Sequence, residues 1–373
     1  MKYDAITLDA NIFTQNGNYL EGGLLGQLEQ FKQGSVQFVL SEIVYREVLK
    51  HITDGYNEAW AGLEKALKQN HKHKLLSDGS FEKMKAVTSA EKSPEEAAKN
   101  RLQSFIDRTG ATIIKGDGAK ICDLVRMYFD VSPPFENNEK KRKEFPDAIA
   151  LLSLEKWADE NNKKILAITG DKGWTGYADK SKSIDAQIDL GSAFEELQLH
   201  VEKAKVFVAT FLSELVQGKH PDHLQTISES ISNEVSSLEI EPEADSSLHY
   251  EVEYPELFFE DFEFMNLDEE YSFTIVQIGV NKIVFKIPVN IKAKAQAEFS
   301  FSAWDSIDKE YVPLGGETVE NETEFEAAAL ITIEGAFAVT PPEIEVSCLE
   351  LVDTIDTIDF GYVEPNHDDW YEE

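Results

Sequence analysis

Two different spacings of hydrophobic residues divide the chain. In the first 200 residues, short apolar runs alternate with stretches in which apolar residues recur every three or four positions. The runs predict buried strands, and the stretches between them predict amphipathic helices. The predicted strands lie at residues 3–8, 35–40, 111–114, 164–168 and 183–188. Strands that alternate with helices indicate an α/β domain with a central, mainly parallel sheet flanked by helices.

A long polar segment interrupts this alternation. Residues 54–108 predict two or three long helices, with breaks near residues 77–80 and at Ser93-Pro94. This helical insertion separates the second predicted strand from the third. Residues 190–217 are predicted to be helical, and we therefore expect an N-terminal domain that spans residues 1–217.

Beyond residue 250 the apolar spacing changes to two. Residues 283–303 are apolar at nearly every odd position, and residues 325–339 repeat the pattern. This period predicts long, half-buried antiparallel strands. We therefore expect a smaller all-β domain over residues 251–363, built as a sandwich or a partly closed barrel. Residues 218–250, rich in Ser, Glu, His and Pro, predict a linker, with one helix inside it as an alternative, and residues 364–373 predict an acidic tail.

Composition excludes several classes of protein. With Cys122 and Cys348 as its only cysteines, the chain has neither a disulfide framework nor a cysteine-based zinc site. Its apolar runs are all shorter than the roughly 18 residues that a membrane helix needs. The N-terminus has no signal-peptide core. We therefore expect a cytoplasmic protein with no membrane partner.

Four carboxylates occupy positions near the ligand-binding edge of the predicted sheet. Asp9 ends the first strand, and Asp171 lies just past the fourth. Glu47 lies in the helix after the second strand, and Asp147 follows Pro146 in the first turn of the helix before the fourth strand. Since ligands bind at the carboxyl ends of parallel strands, the four side chains can converge on one edge.

Carboxylates that lie so close together need a compensating cation to stay ionised. A set of oxygen ligands without Cys or His suits Mg²⁺ or Mn²⁺. Such ions polarise a phosphoryl oxygen and lower the pKa of a bound water. The chemistry that this pattern predicts is hydrolysis of a phosphodiester.

Each carboxylate also has a purely structural interpretation. Asp9 could cap a helix, and Asp147 could complement a helix dipole. Asp171 suits a turn in TGDKG, and Glu47 could pair with a basic neighbour at position 46 or 50. One shared site explains all four positions at once, whereas the structural interpretations require four independent explanations.

Four segments in their order along the chain resemble the PIN-domain nucleases. They are LDANIF (8–13), SEIVYREV (41–48), EFPDAIALLSL (144–154) and ITGDKGW (168–174). The resemblance covers about residues 1–200, in particular to larger bacterial PIN-like proteins that carry a KxEFPDA-type segment. It implies a metal-dependent endoribonuclease. The insertion at 54–108 departs from the compact family members and leaves the path of the substrate open.

The resemblance also assigns roles to individual residues. The family's acids, both catalytic and metal-binding, fall on Asp9, Glu47, Asp147 and Asp171. The first and third acids are expected to ligate the metal directly, and the fourth to ligate it directly or through water. The second would bind another metal ion or orient the attacking water. Asn11 and Thr169 are expected to hold the first and fourth acids by hydrogen bonds.

Other expectations follow from the family context. PIN-like proteins with appended domains are often toxins or antiviral (phage-defence) effectors, and family members often form homodimers. We therefore expect RNA as the substrate, and a homodimer is a further expectation of the resemblance.

A basic run precedes the third acid. Lys140, Lys141, Arg142 and Lys143 form this run, and Lys172 follows the fourth acid. These five residues are candidates for contacts with RNA phosphates, which position a substrate without reading its sequence. The alternative for the run is a solvated loop.

Charge is distributed unevenly between the two parts of the chain. Residues 1–200 contain 31 acidic and 27 basic residues, whereas residues 201–373 contain 39 and 8. The acidic half repels nucleic acid, which is itself an anion. Its charge could serve solubility, docking of a basic protein partner, or a lid in which the acidic surface or tail covers the RNA path.

Two other functions compete with the nuclease. LDAN resembles the start of a haloacid-type phosphatase, but position 11 is Asn where that chemistry needs a second Asp. A catalytically inactive PIN-like scaffold could instead bind a protein partner through the acidic β domain, although retention of all four acids argues against it. Four histidines in polar segments are expected to be surface residues: His71, His73, His220 and His223.

Overall fold

The computed structural model describes residues 2–90, 93–135, 144–267, 272–337 and 343–365. Its chain divides into two compact units, Met1–Leu197 and Gln198–Glu373. Each unit has its own fold.

The N-terminal unit alternates strands and helices, as the sequence predicts. In chain order its elements are β1 (Ala5–Leu8), α1 (Ala10–Gln15), α2 (Gly23–Gly26), β2 (Gln37–Ser41), α3 (Glu42–Lys72), α4 (Asp78–Ala90), α5 (Pro94–Thr109), β3 (Thr112–Ile114), α6 (Ile121–Asp130), α7 (Phe145–Asn161), β4 (Ile165–Ile168), α8 (Lys172–Ala178), β5 (Ile184–Gln187) and α9 (Leu190–Leu197). Short 3₁₀ turns cover Gln27–Phe31 and Gly116–Gly118.

The strands of this unit form one parallel sheet in the order β3-β2-β1-β4-β5. Every residue of β1 and β4 is buried, as expected for central strands covered on both faces. The predicted α/β class with a central parallel sheet flanked by helices is confirmed.

Local signals in the sequence set the boundaries of the helical insertion. Ser41 caps α3, because its Oγ accepts a hydrogen bond from the backbone N–H of Ile43 (3.2 Å). Ser93 accepts in the same way from Glu96 (3.2 Å), and Pro94 occupies the first turn of α5. The breaks predicted near residues 77–80 and at Ser93-Pro94 therefore coincide with helix starts.

The C-terminal unit begins with two helices and continues with strands. Its elements are α10 (Val201–Val216), α11 (Pro221–Ser236), β6 (Glu241–Asp245), β7 (His249–Phe264), β8 (Thr274–Ile278), β9 (Lys282–Asp305), β10 (Glu310–Ala336), β11 (Glu343–Val352) and β12 (Thr357–Tyr362). The main sheet is antiparallel in the order β11-β10-β9-β7, with β8 also paired to β9. A small parallel sheet pairs β12 with β6.

The period of two predicted for this region is confirmed. The odd-numbered side chains of β9, from Ile283 to Phe301, point into one apolar core, and those of β10 from Phe325 to Ile333 join it. An antiparallel all-β region therefore follows the parallel sheet of the first unit. Among the described residues, no helix combines the length and the apolar composition that crossing a membrane requires.

The structure corrects the expected linker at residues 218–250 and the boundary at residue 217. Helix α11 and strand β6 lie within 218–250, and β7 begins there. Val208 and Leu212 of α10, with Ile227 and Ile231 of α11, are buried in the same core as β9. These helices bury their apolar faces in the second unit, so the division falls after Leu197. They also supply part of the layer that a sandwich would build from strands alone.

Candidate carboxylate site

The candidate site lies where the order of strands in the parallel sheet reverses direction. From β1 the chain continues to β2 and β3 on one side, whereas β4 leads to β5 on the other. In open parallel sheets, ligands bind at the carboxyl ends of strands at such a switch point. Asp9 follows β1 directly, and its backbone N–H donates to the carbonyl oxygen of Ile168 at the end of β4 (3.0 Å).

Thr169 connects the ends of these two strands. Its hydroxyl donates to Oδ2 of Asp9 (2.7 Å) and accepts from the backbone N–H of Asp171 (2.9 Å). The hydroxyl is fully buried, and the backbone N–H of Thr169 donates to the carbonyl oxygen of Gln187 on β5 (2.9 Å). Thr169 therefore links the carboxylate of Asp9 to the backbone of Asp171.

Asp9 is almost entirely buried, with 5% of its surface exposed. It occupies the N-cap position of α1, but its carboxylate does not make the capping hydrogen bond that the structural interpretation requires. Its pKa is raised to about 7, chiefly by burial and also by the nearby charges of Asp147 and Asp171, while the Thr169 hydrogen bond lowers it. A carboxylate that is buried near other negative charges is stabilised by a bound proton or a neighbouring cation.

Asp171 does act as a helix cap. Its Oδ1 accepts hydrogen bonds from the backbone N–H groups of Gly173 (2.6 Å) and Trp174 (3.2 Å) at the start of α8. A β-carbon on Gly173 would lie 2.8 Å from both this oxygen and Cβ of Pro134, so the tight cap requires glycine. The cap engages only one carboxylate oxygen, and Oδ2 remains available to a ligand.

Asp147 lies in the first turn of α7, where it complements the helix dipole. Its Oδ1 also accepts a hydrogen bond from the indole N–H of Trp174 (2.9 Å). Burial raises the pKa of Asp147, the Trp174 hydrogen bond lowers it, and the charges of Asp171 and Glu144 raise it. Neither Trp174 nor Glu144 was a predicted site residue, although both lie inside the segments that carry the family resemblance.

Glu47 lies half-buried on α3. Its predicted alternative partner Arg46 instead pairs with Glu42, one helical turn earlier (2.6 Å). Burial raises the pKa of Glu47, and the charge of Asp147 raises it further, while Lys50 lowers it. The carboxylate therefore lies within electrostatic reach of Asp147, and no ion pair to it is present among the described residues.

Asn11 departs from its expected role. It makes no hydrogen bond to Asp9 among the described residues, because its amide nitrogen lies toward Gly170, 3.7 Å from where a β-carbon on that glycine would be. Its Oδ1 is buried without a hydrogen-bond partner in the described structure. A buried oxygen of this kind beside carboxylates fits a cation or a water held by one.

The side chains at the switch point fit a hard divalent cation chemically, since they offer only oxygen atoms. Within the described ranges, however, no group of three or more acidic, histidine or cysteine side chains is arranged closely enough to hold a metal ion. The carboxylates influence one another's pKa values without forming a ready-made cage. The negative charges of these carboxylates repel one another, and a bound cation would compensate that repulsion.

The predicted phosphate contacts fall on different parts of the chain. Lys140, Lys141, Arg142 and Lys143 lie outside the described residues. Lys172 is exposed at the first position of α8, directly after Asp171. His71 contacts Asp78 (2.8 Å), and His220 contacts Glu214 (3.1 Å). Neither partner is one of the four predicted acids.

Comparison with known proteins identifies the region that contains this site. Residues 6–174 match a family model described as a PIN domain, and all four predicted acids lie in that range. Searches of curated proteins and of solved structures gave no match.

Proposed function

The N-terminal unit of this chain is a PIN domain, and from that premise we propose that the protein is a divalent-metal-dependent endoribonuclease. PIN domains are generally nucleases, and they typically use divalent metals. The observation that carries the proposal is the electrostatic coupling among Asp9, Glu47, Asp147 and Asp171 near the switch point of the sheet. Three of these have raised pKa values, each with another of the four acids among the causes.

Each acid has a proposed role in hydrolysis of the phosphodiester. Asp9 and Asp147 would hold Mg²⁺ or Mn²⁺ directly, and Asp171 would do so through Oδ2 or through a water. Glu47 would bind a second ion or orient the water that attacks the phosphorus in line. The bound cation would polarise a phosphoryl oxygen and lower the pKa of a water. Thr169 keeps Asp9 and Asp171 in place by its two hydrogen bonds.

Lys172 and the run from Lys140 to Lys143 are proposed to contact the phosphates of the substrate. Lys172 supports this proposal by its exposure and by its position beside Asp171. Such contacts supply affinity that falls with salt and carry no sequence information.

The direct test is incubation of purified protein with structured RNA, single-stranded RNA and single-stranded DNA, in Mn²⁺, Mg²⁺ or EDTA. Wild type should cleave RNA with either metal and lose this activity in EDTA, and Asp147→Asn should be inactive. Glu160→Gln is a matched control, because Glu160 lies on the same helix as Asp147 but pairs with Lys156 at its other end (3.7 Å). Equal cleavage by Asp147→Asn and Glu160→Gln would refute the assignment.

A catalytically inactive scaffold is the alternative outcome of the same test. Failure of wild type to cleave any substrate with either metal would favour it, with the acidic β region as the surface for a protein partner. The toxin or phage-defence role, the homodimer and the cytoplasmic location stay predictions of the sequence.

A further inference from the structure

Trp174 links two of the proposed metal-binding acids. Its indole Nε1 donates to Oδ1 of Asp147 (2.9 Å), and its backbone N–H donates to Oδ1 of Asp171 (3.2 Å). The side chain is 1% exposed and lies in the first turn of α8. One buried residue therefore touches the third acid with its side chain and the fourth with its backbone.

A second set of hydrogen bonds holds the helix of Trp174 against α7. Further along the same two helices, the hydroxyl of Tyr177 donates to the carboxylate of Glu155, and Ser181, just after the end of α8, donates to the same carboxylate (2.6 Å). Helix α8 is thus held to α7 both at the site and farther along α7. The orientation of the indole follows from this packing, because a large ring in a dense core has few alternative rotamers.

The hydrogen bond addresses a specific difficulty at Asp147. A carboxylate in the first turn of a helix can rotate about its side-chain torsions, and the charges of Asp171 and Glu144 nearby push against it. A fixed N–H donor holds Oδ1 and leaves Oδ2 for a ligand. A phenylalanine ring would fill most of the same volume without supplying the donor.

We propose that Trp174 is a positioning residue that holds the Asp147 carboxylate in the orientation needed to bind the divalent cation. This inference rests on the proposed function, and it assigns to the tryptophan of ITGDKGW a role beyond packing. Hydrogen bonds that orient metal ligands are typically worth about 10–100-fold in metal affinity or activity.

The test compares two Trp→Phe variants of the full chain. Trp174→Phe removes the donor to Asp147 and keeps an aromatic ring in the core. Trp157→Phe is the matched control, because Trp157 lies on α7, partly exposed, with Lys163 over its ring at 5.4 Å. Mn²⁺ affinity is measured by calorimetry, and kcat and KM are measured on RNA. Trp174→Phe should weaken Mn²⁺ binding about 10–100-fold and lower kcat with little change in KM, while Trp157→Phe matches wild type.

A second measurement needs only the folded wild type and remains valid if Trp174→Phe unfolds. The chain has five tryptophans, so its indole N–H groups give few NMR cross-peaks. The Trp174 peak should shift on addition of Mg²⁺, because the acceptor of its hydrogen bond becomes a metal ligand. The Trp157 peak should stay in place. An unchanged chemical shift of the Trp174 peak at saturating Mg²⁺ would overturn the proposal.

The outcomes separate this inference from the proposed function. Strong Mn²⁺ binding by wild type and equally strong binding by folded Trp174→Phe would reject the positioning role alone. Absence of Mn²⁺ and Mg²⁺ binding by wild type would reject the metal site itself, and the positioning role with it.

Discussion

The candidate site and the outer face of the main C-terminal sheet are both rich in carboxylates. The two regions differ in which elements supply these carboxylates. The candidate acids Asp9, Glu47, Asp147 and Asp171 belong to separate parts of the N-terminal unit, and Asp9 and Asp171 follow the ends of β1 and β4. On the sheet, the acids follow from strand register, because paired residues on adjacent strands share a face. The exposed acids of that face are Glu251, Glu253, Glu256, Asp261, Glu263, Glu298, Glu320, Glu322, Glu324 and Glu326.

The acids of the two regions also differ in their exposure to solvent. Asp9 is 5% exposed, and burial is the largest cause of the raised pKa values of Asp9, Glu47 and Asp147. The acids of the sheet face are exposed, and two of them pair with lysines of β9: Glu263 with Lys292 (3.8 Å) and Glu320 with Lys294. Water weakens charge interactions on that face by its high dielectric constant.

This difference teaches that the number of acids in a region is a poor guide to chemistry. The C-terminal part carries most of the net negative charge of the chain, yet the acids of its sheet face are exposed along regular strands. In the candidate site Asp9 is buried, Glu47 and Asp147 are partly buried, and Asp171 is exposed. The charge of Asp147 raises the pKa of both Asp9 and Glu47, and a cation stabilises such an arrangement.

The largest expected effect separates the cap role of Asp171 from its role in the site. Asparagine caps a helix about as well as aspartate. Asp171→Asn should therefore keep the stability of the protein and lower cleavage by roughly two to four orders of magnitude, typical of losing a group that acts in the transition state. Cleavage is measured in single-turnover assays, with unfolding monitored in parallel.

Glu322→Gln on the sheet face is the matched change for Asp171→Asn. It removes one exposed carboxylate and should leave cleavage unchanged. An Asp171→Asn variant as active as Glu322→Gln would reduce Asp171 to a helix cap.

Asp9→Asn should stabilise the metal-free protein at high pH. The raised pKa of Asp9 means that the folded state binds its proton more tightly than the unfolded state. The resulting stability is present below about pH 4, near the unfolded pKa, and is lost as the pH rises through about 7. At pH 8 the variant should be more stable than wild type by roughly 1–3 kcal/mol, and near pH 4 the difference should vanish.

Hydrogen exchange at the amides of β1 and β4 measures this effect in the N-terminal unit alone. Saturating Mg²⁺ should restore the stability of wild type at pH 8 and leave Asp9→Asn nearly unchanged. Equal protection of the two metal-free proteins across this pH range would mean that the Asp9 carboxylate is not desolvated as the geometry requires.

The sequence could place the four candidate acids on their elements because the relevant signals are local. Buried strands end just before Asp9 and shortly before Asp171, Pro146 lies in the first turn of the helix of Asp147, and Ser41 caps that of Glu47. Chain order and right-handed connections then restrict where strand ends can meet. The family resemblance rests on the same segments, and it is confirmed for residues 6–174.

Other features depend on contacts that no local pattern contains. The hydrogen bond from Trp174 to Asp147 joins residues 27 positions apart, and a buried tryptophan in a sequence usually signals only packing. In residues 218–250, the helical spacing of Ile227 and Ile231 allows one helix, but the surrounding Ser and Glu residues favour a linker. The partner of that helix is the core of the second unit, which only the tertiary structure reveals.

Two lysines with different surroundings extend the comparison to substrate binding. Lys172 is exposed beside Asp171, whereas Lys294 is paired with Glu320 on the sheet face. In the inactive Asp147→Asn background, Lys172→Ala should weaken RNA binding and lower the salt slope of the binding constant by about 0.7 for one lost phosphate contact. Lys294→Ala should change neither quantity. Equal salt slopes for both variants in a filter-binding titration would remove Lys172 from the phosphate path.

The smallest expected effects lie on the sheet face itself, where two similar changes should have opposite signs. Glu298 lies directly opposite Glu253 in the register of β9 and β7, and like charges in that position are destabilising. Glu298→Gln should therefore stabilise the protein by about 0.2–1 kcal/mol at low salt.

Glu320→Gln removes the ion pair with Lys294 and should destabilise the protein by at most about 1 kcal/mol. Both effects should shrink at high salt, because the charges are exposed and screened. Urea unfolding of the two variants at low and high salt measures them, and a salt-independent loss of several kcal/mol in either would mean that this face is not a solvated surface.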